Sequence, residues 1–285
     1  MRKLTLLLLT MAILLLFGSF AYADDQTSVV YGTGTHQFTL ATGSPGELGL
    51  LQVLAETFGR QENAAMTWFK AGSGKSLQLL RDKKVDMIMV HAPAAEKLAV
   101  QEGWATKRTL IGSNEFFLVG PIQDPAKIAG AKDVLEAYRR IGAAKAKFFS
   151  RGDNSGTHKK EMDLWTKAGV QPWGGWYVIT KDFMTATLKR ANKEEGYFMV
   201  DNSTWTAEKK EMPDLKVLFK GDKMLVNTYQ ALCQPAGATP GAATAARFID
   251  FVASPQGQQI IRDYGKDRYG EGLYNDAAYA RQYAD

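Results

Sequence analysis

Residues 85–93 read Val-Asp-Met-Ile-Met-Val-His-Ala-Pro. The run from Val85 to Val90 is apolar nearly throughout, the pattern of a β-strand covered on both faces, and it ends at His91-Ala92-Pro93. A strand of that kind implies a parallel sheet with helices packed above and below it. The flanking sequence repeats the alternation. Upstream, Gln37–Ala41 alternates polar and apolar residues as a first strand, and Pro45–Arg60 sets Leu48, Leu51, Leu54, Ala55 and Phe58 on one helical stripe. Met66–Phe69 is a second strand, and Ser73–Lys83 the helix after it.

Downstream, the strand Glu115–Pro121 gives way to a polar stretch with Pro125 and a helical pattern through Val134, Leu135, Tyr138 and Ile141. The strand Lys147–Ser150, a helix over 156–168, the aromatic segment Trp173–Val178, a helix from Asp182 and the strand Gly196–Val200 form a second α/β unit. Asn227–Gln234 reads as a return strand, and helical patterns over 241–253 and 255–264 would pack back on the first unit. The predicted class is α/β, with two lobes, each a mainly parallel sheet flanked by helices. The predicted limits are 24–118 and 228–285 for lobe one and 119–227 for lobe two.

Arg2 and Lys3, the apolar run Leu4–Phe17 and the sequence Ala21-Tyr22-Ala23 before Asp24 have the form of a cleaved signal peptide over residues 1–23. The sole cysteine, Cys233, is far from that point, so a lipoprotein anchor is not expected, nor membrane insertion after cleavage. One cysteine also permits no internal disulfide, and the exported chain must be held by its core. Of 35 basic and 30 acidic residues, two basic ones leave with the signal peptide, and no dense basic run remains. That balance argues against nucleic acid as a partner.

Glycine and hydroxyl residues gather where strands give way to helices: Thr42-Gly43-Ser44, Ser73-Gly74, Asn154-Ser155-Gly156 and Thr185. In an open α/β sheet these turns lie at the carboxyl ends of the strands, where ligands bind. Each offers backbone N–H groups, hydroxyls and the positive end of a helix, which suits an anion. The competing role is ordinary capping; Ser44-Pro45-Gly46-Glu47 fits a capping box with proline at the first helical position. Arg151, between a strand and a glycine-containing helix start, can set a planar guanidinium fork on an oxyanion, or pair with Asp153. His91, at a strand end, is either a ligand donor or a structural histidine. Asp201, after the strand Tyr197–Val200, could orient Arg151 or cap the following turn.

No protein-built metal site and no cofactor motif is evident. Gly74-Lys75-Ser76 resembles the end of a phosphate loop, but Phe69 stands where its first glycine should be. An enzyme on these lobes would turn to Ser155 and His158, yet there is no G-x-S-x-G elbow.

Leu40-Ala41-Thr42, Gly49-Leu50-Leu51, the Val90-His91 strand end, the segment Ser150–Glu161, Ala186-Thr187-Leu188 and the tail from Phe248 to Tyr269 together resemble the tungstate-binding proteins of ABC transporters. The resemblance implies a monomeric, type II-like periplasmic binding protein. It would close on tungstate or molybdate with hydroxyls, backbone amides and Arg151, and hand the metal oxyanion to a membrane permease. The chain departs from the family in two turns. Thr42-Gly43-Ser44-Pro45 replaces a run of threonines and a serine, and Lys181-Asp182-Phe183-Met184 replaces a glycine-containing turn. A small organic carboxylate or phosphate ester is the alternative ligand, and a ligand-loaded sensor the alternative role.

Overall fold

The structure, a computed structural model, describes residues 28–284; the expected signal peptide over 1–23 lies outside them. The described chain opens with β1 (Ser28–Tyr31), β2 (His36–Thr42), α1 (Ser44–Glu47) and α2 (Leu50–Glu62). One helix was predicted over Pro45–Arg60, but the chain turns at Gly49, whose φ of 89° lies in the left-handed region. Glycine enters that region without steric cost. A Cβ there would also sit 2.5 Å from the Tyr264 hydroxyl. The predicted stripe survives in α2, where Leu51, Leu54, Ala55 and Phe58 are buried.

Next come β3 (Ala64–Lys70), α3 (Ser73–Arg81), β4 (Met87–Val90), α4 (Pro93–Gln101) and the 16-residue β5 (Thr106–Pro121). The second unit holds α5 (Val134–Ala144), β6 (Phe148–Ser150), α6 (Gly156–Lys167), β7 (Tyr177–Ile179), α7 (Met184–Lys193), β8 (Tyr197–Asp201), α8 (Asn202–Glu208) and β9 (Leu215–Phe219). The chain returns through β10 (Val226–Cys233) to α9 (Ala242–Ala253), α10 (Pro255–Asp263), α11 (Lys266–Tyr269), β11 (Asn275–Asp276) and α12 (Ala277–Ala280).

The strands run in the order β1-β3-β2-β4-β10-β5-β8-β6-β7, with β9 and β11 also pairing β5. Pairing is parallel where a helix carries the chain from one strand to the next: β2 lies between β3 and β4, and β6 between β7 and β8. It is antiparallel along β1, β9, β10, β11 and the whole of β5. The expected mainly parallel sheets are therefore mixed, because a strand that crosses between lobes and one that returns meet head to tail. The exchange happens inside β5, where Glu115 still pairs with Val226 and Phe116 pairs with Asp201. The lobe limits read from the sequence, 118/119 and 227/228, fall within β5 and β10.

Lobe one buries two apolar layers. Phe38, Phe58, Phe248 and Phe251 pack on one face of its sheet, while Leu77, Leu80, Ile88 and Val90 fill the other. Lobe two is centred on Trp165, fully buried and edge-on to Tyr138 at 4.4 Å and Phe148 at 5.1 Å between ring centroids. Such packing makes truncation of this ring costly. Trp165→Ala should lower unfolding stability by about 3–5 kcal/mol, read from the urea midpoint at unchanged slope; a loss under about 1 kcal/mol would mean this core is organised otherwise.

Candidate functional site

Six strands end at the gap between the lobes, and a helix begins after each. In lobe one β2, β3 and β4 lead to α1, α3 and α4; in lobe two β6, β7 and β8 lead to α6, α7 and α8. The turns approach closely across the gap. A Cβ at Gly74 would lie 2.5 Å from the Asn154 carbonyl oxygen, and one at Gly72 would lie 3.1 Å from the Ser155 Cβ and 3.9 Å from Arg151 Nη2. The His91 ring, from lobe one, rests on the first turn of α6, where a Cβ at Gly156 would meet it at 2.3 Å. Three glycines thus let backbone meet backbone or ring.

Arg151 is 4% exposed, at the end of β6. Its Nε and Nη2 both donate to Asp153 Oδ2, at 3.1 and 2.5 Å. The pairing foreseen as the competing role is present, but it is buried, and it occupies one edge of the guanidinium. Asp153 also accepts from the Ser155 backbone N–H at 3.1 Å, tying the arginine to the start of α6.

The hydroxyls divide by what they already do. Thr42 Oγ1 donates to the Met89 carbonyl at 2.8 Å and so joins the ends of β2 and β4; its proton is committed away from the gap. Ser44 Oγ donates across the gap to Asp201 Oδ2 at 3.5 Å, so its proton too is drawn away from an anion. Ser73 Oγ accepts from the His91 backbone N–H at 3.3 Å and keeps its proton for another acceptor. Ser155 Oγ caps α6 by accepting from the His158 N–H at 3.2 Å, and His158 Nδ1 accepts from the Asn154 N–H at 3.1 Å. Neither member of that pair is poised as nucleophile and base. Thr185 stands apart, half-exposed at the mouth. There an open groove of about 360 Å³ is lined by Glu47, Lys70, Phe183, Thr185 and Lys189. Gly43 precedes α1 with φ −96° and ψ −115°, next to the Ala71 carbonyl.

His91 is pushed down to about 3 by burial, with the Arg151 charge adding to the effect, so the ring is neutral over the physiological range. Its Nδ1 is buried without a hydrogen-bond partner among the described residues. Asp201 caps α8 through the Thr204 N–H at 2.8 Å. Sequence reasoning missed Lys70, Glu47 and Phe183. Lys70 Nζ pairs with Glu47 Oε1 at 2.6 Å and stands 4.3 Å from the Phe183 ring centroid, and the Arg151 guanidinium is 5.3 Å from the same ring. The available signal for Lys70 was its place at the carboxyl end of a parallel strand.

Two α/β lobes joined by crossing strands, with their helix starts turned to a shared gap, define a solute-binding architecture. In keeping with it, a sequence model described as the PBP superfamily domain matches residues 29–256. The tungstate-binding protein TupA of Peptoclostridium acidaminophilum is 34% identical over 241 residues, 83% of this chain and 84% of that one. The solved tungstate ABC transporter protein from Geobacter sulfurreducens superposes with a TM-score of 0.73 at 36% identity, covering 81% of this chain and all of that one. TupA from Desulfovibrio alaskensis G20 gives 0.70 at 36% identity, covering 84% and 98%. The chain belongs to the tungstate-binding protein family of ABC transporter solute-binding proteins. Among the described residues no helix is long and apolar enough to cross a membrane.

Two outcomes follow from the geometry. Gly74→Ala should leave the fold intact, since alanine favours α3, yet oppose closure by about 1–3 kcal/mol. Affinity should fall roughly five- to hundredfold, and unchanged calorimetric titration would refute the close approach. His91 has a depressed folded pKa, so the unfolded chain takes up its proton first as pH falls below the ordinary value near 6.5. Its contribution to stability is therefore lost from there down towards pH 3. Buried Glu161 acts oppositely: burial raises it to about 7, and protonation below that value favours the folded state. Melting curves of His91→Gln against the parent isolate the first effect, and the variant should lose less stability between pH 6.5 and 4.

Proposed function

We propose that this chain is the periplasmic receptor of an ABC transporter and that it captures a tetrahedral oxyanion, tungstate or molybdate, between its lobes. The observation that carries the reading is a buried arginine at the interlobe gap, beside the facing starts of α3 and α6. With Nε and Nη2 bonded to Asp153, the guanidinium retains its Nη1 edge for an anion. The Arg151–Asp153 pair is close to neutral, so the anion's remaining water must be replaced by neutral donors. Candidates are the Ser73 and Ser155 hydroxyls, backbone N–H groups around Gly43, Gly72 and Gly74, and a neutral His91; the Ser44 proton is drawn to Asp201. Ser155 caps its helix by accepting one N–H and, like Ser73, retains its own proton, while Thr42 holds the strand ends in place. Thr185 belongs to the groove at the mouth.

Transport needs no reaction. The open protein exposes both walls, the anion bridges them, and differential affinity shifts the population to the closed form. A signal peptide over 1–23 would deliver the chain to the periplasm, where it acts as a monomer and docks closed on a membrane permease. The engagement of Ser155 and His158 with their own helix start favours this role over an enzyme's.

The test is a thermal-shift panel of tungstate, molybdate, sulfate, phosphate and small organic acids on the chain from residue 24. A ligand at about a thousand times its dissociation constant should stabilise the fold by roughly 4 kcal/mol. Tungstate or molybdate should give the largest shift, and Arg151→Ala should erase it. A response only to organic acids would overturn the oxyanion, and a full response by the Arg151 variant would overturn the site.

A further inference from the structure

One aromatic ring touches cations from both lobes. Phe183 holds the N-cap position of α7, where a side-chain oxygen normally accepts a backbone N–H, and it makes no side-chain cap. A local rule is broken there, and the compensation lies across the gap. Lys70 Nζ, from the end of β3 in lobe one, stands 4.3 Å from the ring centroid. The Arg151 guanidinium, from lobe two, stands 5.3 Å from it. Glu47 holds the lysine from the other side at 2.6 Å. The partly exposed pair sits at the mouth of the groove, where separation of the lobes would part ring from ammonium. Among the described residues, this is the cation–π contact that joins the lobes.

We infer that Phe183 is a positioning residue for the binding cycle: its ring steadies the Arg151 guanidinium and latches lobe one through Lys70, so that the shut state lasts longer and solute leaves more slowly. The inference rests on the anion-receptor reading of the same gap. The ring's effect is electrostatic, since ammonium and guanidinium are drawn to the negative face of the π system. An aliphatic side chain of similar bulk cannot replace it, whereas tyrosine can.

The experiment is a double-substitution cycle with Phe183→Leu, Phe183→Tyr and Lys70→Met. Tungstate release is followed by stopped-flow tryptophan fluorescence, and the solute-free protein by small-angle X-ray scattering. Phe183→Leu should release tungstate about two- to fivefold faster and give a larger solute-free radius of gyration, while Phe183→Tyr matches the parent. Lys70→Met should accelerate release in the parent background and add nothing to Phe183→Leu. If leucine and tyrosine behave alike in both measurements, or if the two losses simply multiply, the latch is refuted while oxyanion binding stands. If the parent gives no signal with tungstate or molybdate, the receptor reading fails instead, and the solute-free scattering of the leucine and tyrosine variants still decides the latch.

Discussion

The lobes share a pivot because one strand belongs to both of their sheets. β5 pairs with β10 as far as Glu115 and with β8 from Phe116, so the backbone ladder continues from one lobe to the other. The junction is polar. Asn114, fully buried, donates to Ser203 Oγ at 2.9 Å and accepts from Asn227 at 2.7 Å; its neighbour Asp201 caps α8 and meets Ser44. Satisfied buried polar groups of this kind define one arrangement closely, because any slip leaves a donor or acceptor unpaired in a medium of low dielectric. The pivot therefore fixes which turns face each other across the gap.

Charge at the gap is arranged to favour an incoming anion without a strong fixed positive centre. Asp153 takes up much of the Arg151 charge at 2.5 Å. His91 adds none, since burial holds it neutral. Glu161, inside α6, is raised to about 7 by burial while it accepts from Tyr177 and Trp165, so near neutrality it does not fully oppose the positive end of its helix. With net charge so nearly balanced, discrimination must rest on how hydroxyls and backbone N–H groups are placed. That placement depends on geometry and survives salt that would screen an exposed cluster of cations.

Much of the framework was legible because it is local. The apolar run at Val85–Val90, the α6 start after Arg151 and the α2 stripe each reveal themselves within a dozen residues. The first half of β5 was not legible, since Thr106, Lys107, Arg108 and Thr109 carry no strand-like alternation and are held by β10, more than a hundred residues away. The edge strand β1, with its exposed face, gave equally little signal. The break at Gly49 is a matter of one φ angle, and no helical stripe reports it. In the site, Arg151 with Asp153 could be read two residues apart. The commitment of Thr42 to Met89 spans 47 positions, and no reading of the first turn alone could reveal it.

Capping and binding draw on the same groups, and the structure separates them by asking which hydrogen bonds are already made. A cap accepts N–H groups through a side-chain oxygen, as Ser155 and Asp201 do; the carboxylate has no proton to offer, whereas the hydroxyl keeps its own. An anion needs protons instead, so the informative hydroxyls are those that accept here and retain a proton to give. Ser73 and Ser155 meet that condition, whereas Thr42 and Ser44 do not. α7 carries the same logic to a further step. Its N-cap holds Phe183, so no side-chain oxygen serves its first N–H groups, and the position instead brings an aromatic face to the site arginine and to a lysine of the opposite lobe. A cap that only stabilised its own helix would favour serine or aspartate at this position; the phenyl ring is explained by what it does between the lobes.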